Sequence, residues 1–335
     1  MKCPNNTYLY FEQLISMEKI ALLIIYNHRY DKNIPILDKI YEGRFSYVYH
    51  VVPFYDGDRE NVIAVYENSY YFQGYIAQAY QHLKGKGFTH YFIIADDMVI
   101  NPILTEKNLF KEIGIGKKAC YIYDIREIFD CFVAQHTRSM KDFCLKKKGV
   151  EIENILPTKY EAEQRFCKHE LRVGTLSRQY LLKSAYYALK GKMLRKSLLF
   201  VKDYIANNVE IKYPLVWGYS DILLLTADVM GKFATYCGAF AADELFVEYA
   251  IPTSLIFSAD NIVTDKMVKL HGVTQIYSRN RLKEITKSNV FIGLQPLYWE
   301  AEQVNEKYQT RLDYLLGHFP SDIFFIHPIK LSKWK

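Results

Sequence analysis

Residues 19–26, KIALLIIY, form a continuous, largely apolar and β-branched run that breaks at once into the polar Asn27-His28-Arg29. A strand apolar on both faces must be covered on both, which calls for a parallel sheet with helices packed above and below it. The chain goes on to supply those helices. Ile34, Leu37, Ile40 and Tyr41 share one face of a helix closed by Gly43. A second strand is expected over 45–54 before the turn at Asp56-Gly57, and a third over 61–66. A helix over 68–84 follows, with Tyr71, Tyr75, Ile76, Ala79, Tyr80 and Leu83 on one side. The fourth strand, Tyr91–Ala95, ends in Asp96-Asp97. This alternation predicts an α/β fold, a three-layer α/β/α sandwich with a mainly parallel central sheet.

From 105 to 215 the alternation gives way to a segment that reads as a mostly helical insertion rich in Lys and Arg, including Lys146-Lys147-Lys148. Between Arg165 and Lys202 ten Lys and Arg meet one acid, Glu170, so the modest net charge of +6 is concentrated here. The α/β pattern resumes with Tyr219-Ser220-Asp221 and a strand over Ile222–Leu225. A helix is then expected from near Ala241 through Asp243, Glu244 and Glu248, stopping before Pro252 because proline blocks a helix interior. Asp322–Ile326 is a short strand pattern ending in His327-Pro328. Met17, followed by Glu18-Lys19 and a strand, reads as a natural start. The expected segments are therefore an N-terminal extension (1–16), a first α/β half (17–104), the insertion (105–215) and a second half with its tail (216–335).

Two adjacent carboxylates at the end of a buried strand are costly to desolvate and repel each other. A divalent cation relieves that repulsion, and hard Mg²⁺ or Mn²⁺ is what carboxylate oxygens select. At the carboxyl edge of a parallel sheet such a pair can hold a metal that neutralises charge on a departing diphosphate. Asp-Asp is also an ordinary turn or helix cap after a strand. Position favours the metal, because Asp96-Asp97 closes the fourth strand of a β/α series.

The run HYFIIADDMVINP resembles the D-x-D or x-D-D segment of GT-A glycosyltransferases, and IALLIIYNHR resembles the first strand and base-binding loop of that fold. GYSDILLLTADVMGKF and CGAFAADELFVEYAIPTSL are similar to the acceptor half of bacterial transferases that build surface polysaccharides. The likeness covers 19–102 and 215–260 and leaves the insertion out. It implies a UDP- or GDP-sugar donor, a carbohydrate or lipid-linked glycan acceptor, and Mn²⁺ or Mg²⁺ bound by Asp97. By the same resemblance Asp96 would meet the ribose or an associated lysine or arginine, and Tyr26, Asn27, His28 and Arg29 the base and phosphates. Asp243 or Glu244 would be the base for the acceptor proton, with Glu248 a second choice four residues on. An acid at a helix N-terminus is equally ordinary dipole stabilisation. His327 would complete the metal shell and Lys330 would reach the diphosphate, unless the segment is simply a basic tail. Asp221 reads as an acceptor-binding carboxylate or as a buried structural one.

No G-x-G-x-x-G follows the first strand and no G-x-x-x-x-G-K-[ST] occurs, which removes the best evidence for dinucleotide and P-loop binding. Cysteines 3, 120, 131, 144, 167 and 237 form no C-x-x-C pair or zinc-type cluster. With no secretory pattern at the start, reduced thiols in a cytoplasm are expected. The basic stretch, with Tyr180, Tyr186, Tyr187 and Phe200, reads either as a solvated face or as a peripheral contact with the anionic inner face of a membrane. Two other functions stay open. A sugar nucleotidyltransferase would carry a Gly-rich loop where YNHRYDKN has none, and a nucleic-acid-binding protein would leave Asp96-Asp97 without a role. No nucleic-acid partner is expected.

Overall fold

Every residue of the strand Ile20–Ile25 (β1) is buried, none more than 2% exposed. Removing one such side chain from water is worth about 1.5–3 kcal/mol, and the fold realises that gain by placing β1 inside a seven-stranded sheet. The computed structural model describes residues 18–128, 139–140, 143–173, 212–274, 311–329 and 331. Outside them lie the expected extension 1–16, Lys330, and Tyr180, Tyr186, Tyr187 and Phe200 of the basic stretch.

Within the first half, Tyr47–Pro53 (β2), Val62–Val65 (β3), His90–Ala95 (β4) and Val99–Ile100 (β5) follow β1. Further along come Cys120–Ile122 (β6), Arg126–Glu127 (β7), Val216–Trp217 (β8), Ile222–Thr226 (β9), Ile262–Thr264 (β10), His271–Val273 (β11) and Ile323–Ile326 (β12). The described α-helices are Ile34–Tyr41 (α1), Gln73–Leu83 (α2), Leu109–Ile113 (α3), Lys159–Lys168 (α4), Ala227–Ala242 (α5), Val247–Ser258 (α6) and Arg311–Gly317 (α7). The main sheet has the order β10-β6-β9-β4-β1-β2-β3. Its β4, β1, β2 and β3 run parallel, β9 is antiparallel to both β4 and β6, and β10 is parallel to β6.

Alternate side chains feed two cores. Leu22, Ile24, Phe92, Ile94 and Leu224 pack with Leu37 of α1, Leu109 of α3 and Leu312 of α7. Leu23, Ile93 and Leu223 pack with Tyr75 of α2, Phe233 of α5 and Ile251 of α6. The protein is thus α/β, with a mainly parallel mixed sheet covered by helices on both faces, an arrangement compatible with the expected three-layer sandwich. β1 leads through α1 to β2 on one side, whereas β3 returns through α2 to β4 on the other. Strand order therefore reverses between β1 and β4. In open α/β sheets the crevice beyond the carboxyl ends of strands at such a reversal is where ligands bind. Asn27-His28-Arg29 leave β1 there, and Asp96-Asp97 leave β4 there.

Two expectations for the later chain are corrected. β6 lies within 105–215 yet pairs with both β9 and β10, so the described start of that segment belongs to the sheet. Between its helices α3 and α4 the described stretches 114–128 and 143–158 are non-helical. A three-residue strand just after Lys117-Lys118 is too short to register as a period-two pattern. The second correction concerns the helix expected near Ala241. There α5 has already run its course, Asp243 stands at its C-terminal cap, and Glu244 turns the chain with φ of 58°. The next helix, α6, begins at Val247 and passes through Pro252 to Ser258.

Pro252 lacks the N–H that would bond the Glu248 carbonyl within the helix. The Gly218 N–H takes its place, donating to the Glu248 carbonyl at 2.9 Å. Only glycine allows this approach, since a Cβ at Gly218 would lie 2.4 Å from the Asp124 carbonyl oxygen.

A second sheet, of order β11-β12-β5, brings the far end of the chain back. β12 runs antiparallel to β5, with Phe325 opposite Ile100 and Ile326 opposite Val99. Continuing that register carries His327 toward Asp97. Among the described residues no helix is long and apolar enough to cross a membrane.

Candidate functional site

Asp96 and Asp97 are both buried at the β4 terminus, 4% and 6% exposed, so each carboxylate needs partners. The Asp96 N–H donates to the Ile25 carbonyl at 2.9 Å, which stitches the β4 exit to β1, and Asn33 Nδ2 lies 3.4 Å from its Oδ2. Asp97 Oδ1 lies 2.8 Å from His327 Nε2. The Tyr219 hydroxyl bonds His327 Nδ1, and the Ile329 N–H donates to the Asp97 carbonyl at 2.6 Å. The structure thus brings together Asp97 and His327, the two residues expected as metal ligands.

Whether this pair suits a divalent ion is a matter of spacing and donor type. Adjacent ligands of an octahedral ion with bonds of about 2.1 Å stand about 3 Å apart. Oδ1 and Nε2, at 2.8 Å, are spaced as such neighbours. An imidazole in the set favours a transition ion such as Mn²⁺ over Mg²⁺. Binding through Nε2 requires the proton on Nδ1, where the Tyr219 oxygen can accept it. Among the described residues no group of three His, Cys, Asp or Glu side chains is arranged to hold a metal. Two protein donors completed by substrate oxygens and water is the usual pattern for a nucleotide-bound ion, and the pair fits that pattern.

Beside this pair lies a second group of acids. The Asp221 carbonyl accepts from the Ala95 N–H at 2.9 Å, fixing Asp221 next to the β4 exit. Glu248, in the first turn of α6, accepts from Trp217 Nε1 at 2.9 Å. Burial, reinforced by the charges of Asp221 and then Asp124, raises the Glu248 carboxyl to about 7 against the Trp217 bond and the Arg126 charge. Asp124 accepts from the Tyr219 N–H at 2.8 Å and pairs with Arg126 at 2.6 Å. The Arg126 guanidinium lies over the Trp217 ring, 4.9 Å from its centre. A carboxyl held near neutrality beside other carboxylates can serve as a proton acceptor near pH 7.

Other expected site residues are placed differently. Tyr26 is fully buried and its hydroxyl bonds His50 Nδ1 at 2.8 Å. His50 in turn meets Asp38 at 2.8 Å, so the Tyr26 ring belongs to the core rather than to a base pocket. Arg29 is exposed but engaged with Asp31, Asp56 and the Phe54 carbonyl. His28 is exposed and meets Tyr30 edge to face, and Asn27 is half-buried at the β1 exit. Asp243 is buried and paired with Lys147 at 3.2 Å, while Glu244 is an exposed turn residue. Neither begins a helix, so the dipole argument for them reverses. Of the three acids weighed as base, Glu248 alone is held beside Asp221.

Sequence reading missed Asp124, Trp217 and Tyr219 as members of the site. Asp124 stands two residues past β6, a strand too short to read from the sequence, so no local signal marked it. Comparison with protein-family profiles, with curated proteins and with solved structures returned no match, so the residues themselves carry the functional reading.

Proposed function

We propose that this protein is a metal-dependent glycosyltransferase of the GT-A type, moving a sugar from a nucleotide-diphosphate donor to a hydroxyl of a carbohydrate or lipid-linked glycan. One observation carries the reading. Asp97, at the strand-order reversal, meets His327 from 230 positions away, on the sheet edge that also presents Glu248 at a pKa of about 7.

A bound divalent cation supplies charge neutralisation on the leaving diphosphate. Asp97 and His327 are the residues that would hold it, with Tyr219 fixing the imidazole tautomer. Glu248 takes the proton from the acceptor hydroxyl as its oxygen bonds the anomeric carbon, and the sugar–diphosphate bond breaks with its electron pair leaving on the diphosphate. Asp221, tied to the β4 exit, keeps the two halves of the site together and holds the Glu248 proton affinity up.

The test is thermal unfolding of the full chain with UDP, GDP and other nucleoside diphosphates, with and without Mn²⁺. A ligand at a hundred times its Kd adds about 2.7 kcal/mol to stability, a readily measured rise in Tm. Stabilisation is expected only with Mn²⁺ present and is expected to vanish in Asp97→Asn. If no nucleotide stabilises the protein, or Asp97→Asn responds like wild type, the reading fails.

A further inference from the structure

In the loop after β1, Tyr26 is buried and Arg29 is bound to Asp31 and Asp56, so His28 and Tyr30, the latter 45% exposed, are the rings presented there. The loops after β2 and β3 present rings that stand further out. Phe54 and Tyr66 leave those strands 59% and 66% exposed, against the normal preference of large aromatic side chains for burial. Their rings meet edge to face at 5.9 Å. Phe54 also holds φ of 54°, a left-handed backbone that a bulky residue avoids. Two bonds keep it there. Its N–H donates to the Val65 carbonyl at 2.9 Å, and Arg29 Nη1 donates to its carbonyl at 3.2 Å. Strain retained to present an exposed ring points to a ligand for that ring.

We infer that the Phe54 ring is the platform on which the base of the nucleotide donor stacks, with Tyr66 standing edge-on beside it and Arg29 holding Phe54 in place. This rests on the sugar-transfer reading and names where the heterocycle lies. Both residues stand on the same carboxyl edge as Asp97, because β4, β1, β2 and β3 are parallel neighbours. Strands in a sheet are about 4.8 Å apart, which sets Phe54 about 10 Å and Tyr66 about 14 Å along the edge from the β4 exit. That span matches a nucleoside diphosphate laid with its phosphates at Asp97 and its base on the Phe54 ring. An aromatic face stacks on any base, so the platform supplies affinity without choosing between uracil and guanine.

The experiment is calorimetric titration of the full chain with Mn²⁺ plus UDP or GDP, and separately with Mn²⁺ plus inorganic diphosphate, which has no base. Phe54→Gly removes the ring and relaxes the left-handed backbone, so it is not expected to unfold the protein, and thermal unfolding checks this. It should weaken nucleoside diphosphate binding by about tenfold or more and leave diphosphate binding unchanged, while Phe54→Trp keeps wild-type affinity. Equal nucleotide affinity in wild type and Phe54→Gly overturns the platform and leaves the sugar-transfer reading standing. Parallel loss of nucleotide and diphosphate binding also overturns it, since the ring would then act through loop structure. Wild-type protein that binds neither ligand overturns the sugar-transfer reading and the platform with it.

Discussion

Asp97 and Glu248 reach the same edge of the sheet, yet their surroundings are opposite. Asp97 is met by an imidazole, with a tyrosine behind that imidazole and a backbone N–H on its own carbonyl. Glu248 has one indole N–H and stands among carboxylates, Asp221 first and Asp124 beyond it. The first environment suits a fixed negative charge that anchors a cation. The second holds a proton tightly enough to exchange it near neutrality. Side-chain type does not separate the two proposed roles; the groups packed around each carboxyl do.

The contrast can be broken most directly at Glu248. Glu248→Gln should lower turnover by about 10²–10⁴-fold with nucleotide affinity intact, as separate binding and rate measurements would show. In wild type the rate should climb with pH through about 7 and level off above it, because the carboxylate is the form that accepts the proton. A rate independent of pH from 5 to 9 would remove Glu248 from the chemistry. The anchoring side is tested by His327→Asn, expected to weaken Mn²⁺ binding by more than the about 10- to 100-fold that loss of a ligand's hydrogen-bond partner costs, while the acidic limb of the rate profile stays put. Unchanged Mn²⁺ affinity would dissolve the difference between the two carboxylates. The smallest effect belongs to Trp217→Phe. Without the indole N–H the Glu248 carboxyl rises further, so the acidic limb should move to higher pH by less than about one unit. A limb that moves to lower pH would mean the indole donates elsewhere.

Much of the fold was legible because burial writes itself into local pattern. β1 and β4 are uncharged apolar runs with polar exits, and α1 and α2 carry their apolar stripes at helical spacing. Asp96-Asp97 and His327 were therefore locatable from the ends of readable strands. What escaped depends on distance along the chain. β6 is three residues long and earns its place by pairing with β9, which begins a hundred residues later. The break at Asp243-Glu244 hides inside a stretch whose residues all favour helix or sit comfortably at its ends, so nothing local marks the stop. Pro252 misled for the reverse reason. Its usual penalty is removed by a donor, Gly218, that lies elsewhere in sequence. Tyr26 likewise looked available as the last residue of its run until His50, on the neighbouring strand, took its hydroxyl.

The Gly218–Glu248 backbone bond has a further consequence for how this protein tolerates sequence drift. Residue 248 is fixed by its helix on one side and by the residue after Trp217 on the other. The offset between the carboxyl and its indole donor is thus inherited from the main chain and needs no particular set of neighbours to maintain it. Apolar positions around α6 can exchange Ile for Leu or Val with small changes in packing and leave that offset alone. Pro252 and Gly218 have no such latitude: a residue with an N–H at one, or with a Cβ at the other, competes for the same carbonyl or the same space.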